Sequence, residues 1–148
     1  ALWSLALEID RAREAAPAMS RLVQDELKHG HVDLAIEHWD ELRTRVPSVS
    51  MDPLSLLRLA GALAPQGHRK EASDCLRRAL LPTGAPPSVA LTLKIAGLAA
   101  AIDPVIARAA LDIAARRPDL DPGSRAEAER IEAGLRAAER RPADGNRS

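Results

Sequence analysis

Residues 30–47 read GHVDLAIEHWDELRTRVP and residues 67–82 read GHRKEASDCLRRALLP. In both, a Gly-His pair opens an amphipathic stretch that a proline closes. Ala35 and Ala72 follow their glycine by five residues, and Trp39 and Leu76 follow by nine. Glycine enters positive φ without penalty and proline has no N–H to donate, so each marks where a helix stops. Pro47, Pro82 and Pro118 lie 35 and 36 residues apart, and Gly30, Gly67 and Asp103-Pro104 fall between or before them. The interval is that of a helical hairpin repeated along the chain. A third copy keeps Ala107 and Leu111 at the small and large positions, but Ile102 stands where the glycine should be and Pro118 arrives one residue early.

Working outward, the punctuation predicts helices over 2–15, 17–29, 31–46, 53–64, 68–81, 87–102, 104–116 and 122–140. Composition agrees. Of 148 residues, 29 are Ala and 21 are Leu, against 16 Val, Ile and Thr together and no Phe or Tyr. That balance favours helix and argues against a sheet protein. The expected fold class is all-α, with residues 1–141 forming a single domain and 142–148 a disordered tail that has nothing to bury. In the first long helices Met19, Leu22 and Val23 correspond in phase to Leu56, Leu59 and Ala60. The last helix carries Ala128, Ile131, Leu135 and Ala138 on one side and charges elsewhere, as a cap over a core requires. At the other end Leu2, Leu5, Ile9 and Ala12 form a stripe of their own, which suggests the second helix of an earlier repeat.

The spacing of Gly, Ala, large apolar residue and Pro resembles the tetratricopeptide repeat family, whose period is about 34 residues. The resemblance covers about residues 17–118. It implies a short right-handed α-solenoid of about three helix-turn-helix repeats, over 17–50, 51–85 and 86–118, with an extra N-terminal helix and a C-terminal capping helix. Members of that family hold peptides or helices on the concave surface made by the first helix of each pair. The matching positions are Ser20, Gln24, Leu27 and Lys28, then Leu54, Leu57 and Gly61, then Val89, Thr92, Leu93 and Ala96. The aromatic family positions hold Leu, Val or Arg except at Trp39. Asn146 is the only asparagine, so the Asn-containing carboxylate clamp of some relatives has no counterpart.

Charge excludes several function classes. Lys plus Arg equals Asp plus Glu at 21 each, so no dense positive field exists for a phosphate backbone, and nucleic acid is not expected as a partner. The most apolar region, 89–115, is interrupted by Lys94, Asp103, Pro104, Arg108 and Asp112, so membrane insertion is not expected either. Cys75 is the single cysteine. It rules out an intrachain disulfide framework and fits a reducing, cytoplasmic setting. Arg outnumbers Lys 18 to 3, which suggests a GC-rich bacterial source.

Catalytic chemistry finds no foothold. His31 and His38 share a helix face two turns apart, about 10 Å along the axis, too far to chelate one ion without a third element. Solvated histidines are the expectation, with His29 and His68 placed to bond the last carbonyls of the preceding helix. Cys75 sits among Ala72, Leu76 and Ala79 as a small core residue. The serines and aspartates near helix starts, Ser50 or Asp52, Ser88 and Ser124, are expected to cap. Neither a metal nor a cofactor is expected, and the chain is expected not to be an enzyme.

What remains is apolar surface beyond the needs of one core. Leu56, Leu59, Ala60 and Leu63 make the core stripe of their helix, leaving Leu54, Leu57 and Gly61 on a second face interrupted by Arg58. In the next long helix Leu91, Ile95, Leu98 and Ile102 are expected inward, leaving Thr92, Leu93 and Ala96 outward. The expected function is a non-catalytic interaction module. An apolar segment of another protein, or of the same full-length chain, would lie over Gln24, Lys28, Leu54, Leu57, Arg58, Gly61, Thr92, Leu93 and Ala96. The alternative is a self-associating or linking domain of a larger multidomain protein, membrane-associated or signalling, forming a homodimer through the same surface.

Overall fold

The computed structural model of the chain describes the backbone of residues 2–81 and 86–140, and the side chains of these apart from 2–7 and 9. Seven α-helices follow one another with no strand among the described residues: α1 (Leu2–Lys28), α2 (Val32–Arg45), α3 (Pro53–Leu63, extended by a 3-10 turn over Ala64–Gln66), α4 (Arg69–Leu80), α5 (Val89–Ile102), α6 (Pro104–Ala115) and α7 (Pro122–Glu139). From α2 onward each bound lies within two residues of the sequence expectation.

The N-terminal part is a correction. The expected helices 2–15 and 17–29 are one continuous α1, with Pro17 inside it. An interior proline forfeits one ladder bond and costs on the order of 3 kcal/mol. Here Ala12 and Ala16 before it, and Met19 and Val23 after it, all pack on the same core, so a break would sacrifice burial on one side or the other. The side chains of Leu2, Leu5 and Ile9, and the expected tail 142–148, lie outside the described residues.

The two Gly-His turns are built alike. Gly30 and Gly67 adopt φ of 79° and 84°. The N–H of Gly30 donates to Leu27 O at 3.3 Å and that of His31 to Glu26 O at 2.8 Å. The N–H of Gly67 donates to Ala64 O at 3.1 Å and that of His68 to Leu63 O at 3.1 Å. This paired pattern around a left-handed residue is the Schellman helix end. The third hairpin, lacking the glycine, turns at Asp103 instead. Its N–H closes α5 on Ala99 O at 2.7 Å while its carboxylate accepts from Val105 N at 3.1 Å and so starts α6. The same carboxylate accepts from Ser73 Oγ at 2.7 Å, tying the turn to α4.

Aspartate followed by proline also starts α3 and α7. Asp52 accepts from Ser55 N at 3.1 Å and Ser55 Oγ at 2.7 Å, and Asp121 from Ser124 N at 2.7 Å. Asp52 is therefore the cap, not Ser50. Ser124 is corrected as well: it is the residue capped, with Asp121 as the cap. Ser88 caps α5 as expected, accepting from Leu91 N at 3.2 Å.

The tightest pairs are α1/α2, α3/α4 and α5/α6, three successive hairpins. Contacts of α1 with α3, α3 with α5 and α5 with α7 set the first helices of the pairs side by side, and α7 also rests on α6. Ala35, Ala72 and Ala107 are fully buried, as the repeat spacing requires of residues that let helices approach closely. One core runs through all three hairpins, centred on Trp39, Leu56, Leu59, Leu76 and Ile95, and Leu135 of α7 joins it. Arg78 stitches α4 to the preceding hairpin. Its guanidinium lies 5.7 Å from the Trp39 ring centroid, pairs with Asp74 and donates to Val49 O.

Candidate interaction face

The nine residues expected to meet a partner separate into two groups by burial. On α3, Leu54 is 39% exposed, Arg58 and Gly61 are exposed, and Leu57 is half-buried against the core. Lys28 of α1 is exposed too. Gln24 is half-buried and already employed: its Nε2 donates to Asp52 Oδ1 at 2.7 Å, linking α1 to the start of α3.

On α5 the expectation of an outward second face is overturned. Thr92 is 1% exposed, Leu93 5% and Ala96 0%. Leu93 and Val89 form a small cluster with Ala114 of α6, supported by Leu111, Leu120 and Ala128. Thr92 satisfies its hydroxyl on Ser88 O at 2.8 Å. The core stripe of α5 is Thr92, Ile95, Ala96 and Ala99, while Leu91, Leu98 and Ile102 are only half-buried. The physical reason is α6 together with α7: Ala114 and Leu111 of α6 meet Val89 and Leu93, and α7 adds a second surface. Its apolar side, Ala128, Ile131 and Leu135, closes over α5, and Ile131 Cδ1 comes within 3.9 Å of where a Cβ of Gly97 would stand. Ala138, expected on that stripe, is exposed. Along the outer seam of α5 and α7 a cavity of about 450 Å³ remains, lined by Lys94 and Gly97 on one wall and Ser124, Glu127 and Arg130 on the other.

Leu22 departs similarly. It matches Leu59 in phase, yet Leu59 is fully buried and Leu22 is 41% exposed. Leu59 has the first hairpin behind it, whereas no described helix lies on the far side of α1.

The polar groups behave mostly as structure. His29 Nδ1 bonds Asp25 O at 2.7 Å, and His31 and His68 are exposed at the helix starts. His38 is not simply solvated. It contacts both carboxylate oxygens of buried Glu26, at 2.6 and 3.0 Å, and locks α2 on α1. Cys75 is fully buried, and burial is the main cause that pushes its thiol up to about 12. A nucleophile needs the opposite environment. Among the described residues no group of three His, Cys, Asp or Glu side chains is placed to hold a metal ion. No described helix is long and apolar enough to cross a membrane.

The chain matches no protein-family model, no curated protein and no solved structure.

Proposed function

We propose that the chain is a helical-repeat interaction module, a short right-handed solenoid of the tetratricopeptide kind that holds a segment of another protein, or of its own full-length chain, against the outer side of α3. The observation that carries this is the contrast between two equivalent faces. Leu57 and Leu93 sit 36 residues apart at the same place in successive hairpins, as do Gly61 and Gly97. The difference lies at one position: Leu93 is buried against Ala114 of α6 and Ala128 of α7 while Leu57 is half-buried, and the flanking residues are exposed on both helices, Leu54, Arg58 and Gly61 on α3 and Ala90, Lys94 and Gly97 on α5. The amphipathic α7 packs against α5, and on α3 the larger side chains of Leu54 and Leu57 stand where a partner segment would seat. Two Schellman turns of identical build and three buried alanines in register support the repeat relationship.

A photo-crosslinking side chain at position 54 tests the role, with the same group at Val105, 78% exposed on α6, as the control. Expressed in the cells from which the protein comes, the position-54 variant yields a discrete adduct that Arg58→Asp abolishes. Equal adducts at both positions, or none at 54, would refute the proposal.

A further inference from the structure

Leu22 on α1, Leu59 on α3 and Ile95 on α5 stand 37 and 36 residues apart, at one place in successive hairpins. Leu59 and Ile95 are fully buried in the shared core, whereas Leu22 is 41% exposed. First helices lie beside first helices, α1 against α3 and α3 against α5, and among the described residues α1 has such a neighbour on one side only. It is also the longest helix, 27 residues against 11 in α3 and 14 in α5, and it stays helical through Pro17. Its exposed stripe is Arg11, Ala15, Ala18, Leu22 and Asp25, residues that recur in steps of four and three and so share one face. Asp10, Glu14, Arg21 and Lys28 are exposed along one edge of that stripe.

Turned end for end about Ala18, this face is its own complement. Arg11 then faces Asp25, Glu14 faces Arg21 and Asp10 faces Lys28, an acid against a base each time, while Ala15 faces Leu22 and Ala18 faces itself. Alanines at the centre let two helix axes approach to about 8 Å, close enough to cover Leu22. We infer that a second copy of the chain docks on this face, the two α1 helices packing antiparallel across a two-fold axis at Ala18. An axis along the helices would set each residue against itself, Arg11 on Arg11 and Asp25 on Asp25, so the charges select the antiparallel arrangement. The contact runs over residues 10–28, about 28 Å of helix. Within it the N-terminal half of α1, whose Ala12 and Ala16 pack on its own core, turns another side to the C-terminal half of the partner helix. This dimer is independent of the role proposed above for α3.

Sedimentation equilibrium of the full chain over a range of concentrations tests it. The mass is expected to rise from 15.9 kDa to twice that value, with Kd below about 100 μM. Ala18→Glu sets two carboxylates at the axis from a position exposed in the single chain, and should weaken the dimer at least about tenfold while circular dichroism shows an unchanged melt. Arg11→Asp and Asp25→Arg each oppose like charges across the contact and should each weaken it about three- to tenfold. The double variant carrying both reversals restores opposite charges and should return to within about threefold of the parent. Val105→Asp, on α6 and 78% exposed, should leave Kd unchanged. A mass of 15.9 kDa up to about 500 μM would overturn the inference and leave the face to a different chain. A dimer indifferent to Ala18→Glu, single reversals that the double variant fails to rescue, or equal weakening by Val105→Asp would overturn it as well.

Discussion

Ala72→Leu is the perturbation that most directly probes how the hairpins close. Ala72 is fully buried on α4, the helix paired with α3, and Cys75, Leu76 and Ala79 on the same helix are fully buried as well. The three added carbons find no open volume and must push α4 from α3 or force neighbouring side chains off their rotamers. Such overpacking costs about 1 to 3 kcal/mol. For a domain of this length each kcal/mol lowers Tm by roughly 4 °C, so the expected drop is about 4 to 12 °C. Circular dichroism melts of the variant beside Ala101→Leu, at an exposed position of α5, provide the comparison. Ala101→Leu should melt within a degree or two of the parent. An unchanged Tm for Ala72→Leu would refute the close crossing and with it the repeat register.

Two glycines should respond in opposite directions. Gly61 lies in α3 with nothing within 4 Å of an added Cβ, so Gly61→Ala stabilises by about 0.5 to 1 kcal/mol. Gly30→Ala, at φ 79°, destabilises by about 1 to 2 kcal/mol, and urea unfolding of the pair reads both signs. Cys75 makes stability depend on alkaline pH. The folded state holds the thiol proton up to about 12 whereas an unperturbed thiol loses it at 9.0, so its contribution is full below pH 9 and falls as pH rises from 9 toward 12. At pH 10 the loss is about 1.4 kcal/mol, and urea midpoints at pH 8 and 10 should show a steeper fall for the parent than for Cys75→Ala.

Local signals were legible and tertiary ones were not. Gly30 and Gly67 could be read as helix ends because positive φ is a property of one residue, and Asp103-Pro104 as a break; the caps at 52 and 121 are equally local, yet the sequence leaves one open between Ser50 and Asp52 and points to Ser124 for the other. Pro17 misled for the same reason: its local cost is real, but Ala12, Ala16, Met19 and Val23 repay continuity through contacts that no short window contains. The phase of α5 was hidden by its uniformity. Fourteen residues with one charge, Lys94, show no polar side to point outward, so only packing against both α6 and α7 decided that Leu93 faces in. The Glu26–His38 pair spans twelve residues and a turn, and neither residue alone announces it.

The central claim is that Leu54 on the outer side of α3 is open to a partner while Leu93 of α5, expected outward, belongs to the core. Leu54→Asp and Leu93→Asp, melted side by side, test it. Leu54 is 39% exposed and Leu93 5%, so a carboxylate at 54 stays hydrated and should change stability by less than about 0.5 kcal/mol. The same carboxylate at 93 replaces an apolar side chain packed on Val89, Ala114 and Ala128, and should cost several kcal/mol. The expected result is a parent-like melt for Leu54→Asp and a chain largely unfolded, or melting more than 10 °C lower, for Leu93→Asp. Equal collapse of both, or equal tolerance, would contradict the account.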